Sequence, residues 1–220
     1  MITPSDREYK ATKRIKQGKD SLHEPMRELA EWISQKHDGK VLNIVYDPPN
    51  KLLKKPRLKV IFEQSIHEPY LTQDKIIADK AAGKDIIAQL DQIINRDGIH
   101  DFNTKDMFVV FSDFSKVAIQ EADSKISNRD LKKLQKRIAN PDLWKIVRSF
   151  GVATFMFYTE EQKNRNQEYG LKSTYALEYL KELQKHDEFD YINPDSYEVH
   201  FDSKENFDDN YQSNWFYYFR

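Results

Sequence analysis

"VLNIVYDPPNKLLKKPRLKVIFE", residues 41–63, decides the fold. Its two ends, "VLNIVYD" (41–47) and "RLKVIFE" (57–63), are rich in β-branched and aliphatic residues. The proline- and lysine-rich "PPNKLLKKP" between them interrupts any strand ladder. The stretch predicts a hairpin whose connection is longer than a tight turn.

Working outward, "MFVVF" (107–111) and "VATFMFY" (152–158) are continuously apolar, which suits strands covered on both faces, and the first is expected to be central. Helical spacing surrounds them. A short charged helix opens at Thr3-Pro4 and runs to about Gly18, and a second carries Leu22, Met26, Leu29, Ala30 and Ile33 on one face. A long helix is predicted over 72–95, with a possible break at Gly83. Others are predicted near 115–125, 128–138 and 141–149, the last announced by Asn140-Pro141 as cap and first turn, and another runs to about Lys185.

"YEVHF" (197–201) and "WFYYF" (215–219) then predict a C-terminal edge hairpin joined by an acidic connection. The expected fold class is α/β, with helices packed on a mixed β-sheet, an antiparallel hairpin and that C-terminal edge hairpin. A single domain over 1–220 is expected, with 1–20 a peripheral N-terminal helix and 187–220 the acidic, aromatic hairpin. No repeat period of 20–50 residues is visible.

Hydrophobic residues make up 39% of the 220 residues and charged ones 32%, enough apolar surface for a folded core. The net charge of -1 argues against a generic nucleic-acid coat or a polybasic membrane anchor, so no membrane partner is expected, although local patches can still be strong. The absence of cysteine excludes a disulfide framework, a thiol nucleophile and thiolate metal ligands, and a cytoplasmic location is expected.

Two phrases resemble each other, "SLHEPM" (21–26) and "SIHEPY" (65–70). A zinc-protease helix needs a second histidine four places after the first, and those places hold Arg27 and Leu71. Proline also disfavours helix at the preceding glutamate, so both phrases read as junctions before helices. His-Asp pairs at 37–38, 100–101 and 186–187 fall at or beyond helix ends, where a dipole contact and a turn aspartate explain them. Scattered glycines offer no phosphate loop, no G-x-S-x-G elbow exists, and 202–213 departs from the EF-hand pattern at its third, sixth and last positions.

Two constellations remain. Glu63, Asp113 and Glu160 close strands, and gathered at strand ends they would form a magnesium site for phosphodiester or phosphate hydrolysis. In "SNRDLKKLQKRI" (127–138), Arg129, Lys132, Lys133, Lys136 and Arg137 share one arc of a helix and Leu131, Leu134 and Ile138 the opposite one. This cationic ridge suits an acidic protein, the chain's own acidic 187–209 segment, or phosphate groups. Read as a strand, "WFYYF" places Trp215 and Tyr217 together on one face.

The leading expectation is a soluble protein-binding module of the inhibitor, immunity or adaptor type, with no cofactor, no catalytic residue and another protein as partner. The alternatives are the magnesium hydrolase and nucleic-acid binding through the basic helix, the latter not favoured.

Overall fold

The computed structural model describes residues 2–64, 80–149 and 151–220. The second His-Glu-Pro phrase and the first part of the helix expected from 72 lie outside the described residues. Internal contacts divide the chain into two compact units, Met1–Val117 and Ala118–Arg220.

The first unit contains α1 (Arg7–Lys16), α2 (Met26–Lys36), β1 (Val41–Asp47), β2 (Arg57–Phe62), α3 (Lys80–Arg96), β3 (Phe108–Asp113) and the start of α4 (Phe114–Lys125). β1 pairs antiparallel with β2, confirming the hairpin, and β2 pairs parallel with β3. The mixed sheet has order β1-β2-β3. β3 is therefore an edge strand and β2 the central one. β3 still reads as uniformly apolar because Val109, Val110 and Phe111 are all buried.

Strand alternation sorts the side chains between two faces. Leu58, Val60 and Phe62 of β2 join Ile44, Val109 and Phe111 against Leu29 and Ile33 of α2 and Ile86, Leu90 and Ile93 of α3. α3 continues unbroken through Gly83. Lys59 points the other way, toward α1. The side chain of Asn43 donates to Thr12 Oγ1 at 2.9 Å, Lys59 pairs with Glu8, and Tyr9 stacks on Phe114 with ring centroids 5.2 Å apart.

The second unit continues α4 and adds α5 (Asn128–Ile138), β4 (Leu143–Ser149), β5 (Val152–Phe157), α6 (Glu160–Glu168), α7 (Leu171–Leu183), β6 (His200–Ser203), α8 (Lys204–Tyr211) and α9 (Trp215–Tyr218). Its order is β4-β5-β6, again with an antiparallel and then a parallel pair. The helix expected to run to about Lys185 is divided at Gly170, which takes a left-handed φ of 69°. Two other expectations are corrected. Residues 143–149 form β4, because the Asn140 side chain accepts from the Asp142 N–H at 2.9 Å and turns the chain into a strand. The C-terminal edge hairpin is absent: β6 pairs parallel with β5, and 204–211 and 215–218 are helical.

The units repeat one plan in register. Val41 faces Phe62 and Leu143 faces Phe157; in each unit the register then shifts, before Asn43 and before Lys145. Phe62 lies beside Asp113 across the first parallel pair, and Phe157 beside Ser203 across the second. Both strand-end residues start a helix. Asp113 Oδ1 accepts from the Lys116 N–H at 3.1 Å, and Ser203 Oγ from the Asn206 N–H at 2.8 Å. The hairpin connections differ: residues 48–56 join β1 to β2, but 150–151 suffice between β4 and β5.

Candidate interaction site

α5 begins where Ser127 Oγ accepts the Asp130 N–H at 3.2 Å, and ends at Ala139 in a left-handed conformation. Leu131 and Leu134 are buried with Ile146, Phe155 and Tyr179, which fixes the helix face turned to solvent. Arg129, Lys132, Lys133, Lys136 and Arg137 all emerge there, exposed, as their spacing predicts.

Their electrostatic states differ. Lys133 pairs with Asp130 at 3.1 Å, and with Ser127 it holds the Asp130 carboxyl down at about 2. Arg137 bridges to Glu178 at 2.8 Å and Glu182 at 3.0 Å on α7. Arg129, Lys132 and Lys136 have no ion pair or hydrogen bond among the described residues. At i, i+3 and i+7 they form a stripe about 10 Å long on one side of the helix.

The aromatic segment is helical, so its faces follow a period near 3.6 and not 2. Trp215 and Tyr218 turn inward: Trp215 stacks on Phe207 at 4.0 Å, and the Tyr218 hydroxyl donates to Asp202 at 2.6 Å. Phe216, Tyr217 and Phe219 are exposed. Trp215 and Tyr217, expected side by side, thus point to different sides. The inward pair covers Val147 and Met156, whereas α5 packs with Ile146 and Phe155 on the opposite face of the same sheet. The cationic ridge and the aromatic segment are separate surfaces.

The acidic 187–209 segment serves local ends. Asp208 pairs with Lys204, Asp202 accepts from Tyr218 and Asn206, and Asp187 accepts from the Ile192 N–H. The acids that meet the ridge are instead Asp130, Glu178 and Glu182. No spacing rule in the sequence pointed to that pairing, although Glu178 and Glu182 do stand four apart on a predicted helix.

Glu63 and Asp113 lie in the first unit and Glu160 in the second. Glu63 is paired with Lys16 and Lys40, and Asp113 caps α4 and accepts from the Ser115 hydroxyl at 2.7 Å. Glu160 accepts from Lys163 and from Ser203 Oγ at 2.6 Å, and these contacts hold its carboxyl below the ordinary value. No group of three His, Asp or Glu able to hold a metal ion occurs among the described residues.

A cleft of about 540 Å³ opens in the first unit between the end of α1, α2 and the start of β1. Its cations Lys16 and Lys40 share Glu63, Arg27 pairs with Glu24, and Asp20 and Glu31 also line it, so charges of both signs are mixed along its wall and no single-signed field is set up for a charged ligand. In the first His-Glu-Pro phrase His23 is exposed, Pro25 directly precedes α2, and Glu24 accepts the Glu28 N–H at 3.2 Å. No helix among the described residues is long and apolar enough to cross a membrane. No protein-family model, curated protein or solved structure matches the chain.

Proposed function

We propose that the protein is a noncatalytic binding module that docks an acidic protein surface onto α5. The observation that carries this reading is the stripe of Arg129, Lys132 and Lys136, exposed and without ion pairs among the described residues while Lys133 and Arg137 are neutralised beside it. The stripe is preorganised by the Ser127 cap and the buried leucines, which lowers the ordering cost of docking. A partner helix with carboxylates at matching spacing would meet all three cations.

Nucleic acid would use the same ridge through phosphate contacts. The net charge of -1 over the whole chain and a stripe of only three cations unpaired among the described residues weigh against it, since Glu178 and Glu182 beside the stripe are already paired with Arg137, Lys181 and Lys185. The exposed Phe216, Tyr217 and Phe219 belong to another face and play no part in this reading.

Charge reversal tests it. The variant carrying Arg129→Glu, Lys132→Glu and Lys136→Glu should fold normally and lose a complex that the wild type forms in extracts of the source cell. Reversing the matched acids on the identified partner should restore it. Tight duplex or single-strand binding at physiological salt, with a steep salt dependence removed by the same variant, would replace this reading with nucleic-acid binding.

A further inference from the structure

The β1–β2 connection is a built feature. The Asn50 side chain accepts from the Leu52 N–H at 2.9 Å and the Leu53 N–H at 2.8 Å, while the Asn50 N–H donates to the Leu53 carbonyl at 2.7 Å. An Arg57–Asp47 pair at 2.7 Å closes the base, and Pro48, Pro49 and Pro56 stiffen the arms. The shape turns Leu53 partly inward and leaves Leu52 95% exposed. Around Leu52 stand Lys51, Lys54 and Lys55, exposed and without ion pairs among the described residues.

A leucine held in water by an ordered turn gains only when something apolar receives it, and three free ammonium groups beside it call for an anionic receiver. We propose that this loop seats on an anionic lipid bilayer, with the three lysines at headgroup phosphates and Leu52 reaching the acyl boundary. A flat bilayer asks only for a protruding tip. A duplex would ask Leu52 to unstack a base step, offset by a wide flanking surface or by a ribbon following the groove. The β1–β2 ladder ends at Asp47 and Arg57, where β2 is already paired to β3, so no free ribbon extends beyond the sheet. The proposal is independent of α5, which lies in the other unit.

The chain contains no cysteine, so Leu52→Cys provides a single attachment point for an environment-sensitive fluorophore. The probe is vesicles of phosphatidylcholine with about a third phosphatidylserine, against pure phosphatidylcholine. The label should shift to the blue and brighten with the anionic vesicles alone, while the same label at Glu31→Cys on α2 stays silent. In the otherwise unmodified protein, Lys51, Lys54 and Lys55 changed to Gln should lower vesicle partitioning about fivefold per lysine. Leu52→Ser should lower it on the order of tenfold. All four side chains are exposed, so folding is preserved. The proposal is overturned if anionic vesicles leave the label unchanged, if partitioning ignores the lysine substitutions, or if duplex DNA produces the same shift at physiological salt.

Discussion

Each unit has a three-stranded sheet with the same pairing, and each must cover a second face; the first adds a polar and ionic set to its apolar contacts there, which include the Tyr9–Phe114 stack, whereas the second relies on aromatic rings. In the first unit α1 lays Thr12 and Glu8 over Asn43 and over Lys59, which is only 7% exposed. In the second, α8 and α9 lay Phe207, Trp215 and Tyr218 over Val147 and Met156. The aromatic cover gains from buried area and ring stacking, neither of which depends on protonation. The ionic cover depends on both partners staying charged and close, and removing one leaves the other stranded in a poorly solvated place. One sheet plan therefore accepts either seal, with different sensitivities to substitution and to pH.

The comparison breaks most visibly at Phe207. It is 3% exposed and stacks on Trp215, so Phe207→Ala should cost about 3–5 kcal/mol and release α9. Hydrogen exchange should then show β4 and β5 opening while β1 and β2 stay protected.

Glu8→Gln makes the parallel test in the first unit. It should cost about 1–2 kcal/mol, below the range for a fully buried pair because Glu8 retains a water-facing side. The Lys59 hydrogen bond holds the Glu8 carboxyl below its ordinary 4.5, so its contribution is present at neutral pH and is lost as pH falls through the depressed value. Asp123 in the second unit moves the other way. Burial raises its pKa, so the cost of keeping it charged exists at neutral pH and is relieved as it takes up a proton. Acidification should therefore lower the protection of amides, relative to their intrinsic exchange rates at each pH, around Lys59 before it does so around Tyr179, whose hydroxyl donates to Asp123, and Glu8→Gln should flatten the first response.

The equivalent strand-end caps sharpen the likeness. Asp113→Ala and Ser203→Ala should each cost about 1 kcal/mol in urea unfolding. Each also holds a second partner, Ser115 for Asp113 and Glu160 for Ser203, and Ser203 should be the costlier because it is fully buried. The smallest effect belongs to the connection in which the units differ: Leu52→Ala should change stability by less than about 0.5 kcal/mol, since its side chain is already in water.

α5 was legible because its pattern repeats every 3.6 residues, β5 because a short, continuously apolar run suits a strand covered on both faces, and the β1–β2 hairpin because two β-branched, aliphatic runs flank a proline-rich connection. At Leu143–Ser149 the local signal misled. Asn-Pro serves as a helix opening or as a turn into a strand, and pairing with β5 selects the second. Residues 215–219 are five aromatics in a row, which fit either period. Asn214 decides for the helix by accepting the Phe216 N–H at 2.9 Å. The ridge itself was visible, but its neutralisation by α7 depends on how two helices pack. The duplicated plan was hidden because equivalent places share register and not residue type, as Asn43 against Lys145 and Asp113 against Ser203 illustrate.

The parallel pairing of β5 with β6 also sets an order of events at the ribosome. The β4–β5 hairpin, joined through residues 150–151, can close within microseconds once both strands emerge. Its partner β6 and the aromatic helices follow only after α6 and α7 have been made. At usual synthesis rates the chain needs about 3–12 s to travel from Phe157 to Tyr218. Through that interval Trp144, Val147 and Met156 lack their cover, and the newborn sheet offers neighbouring chains or a chaperone an apolar face that the finished protein conceals.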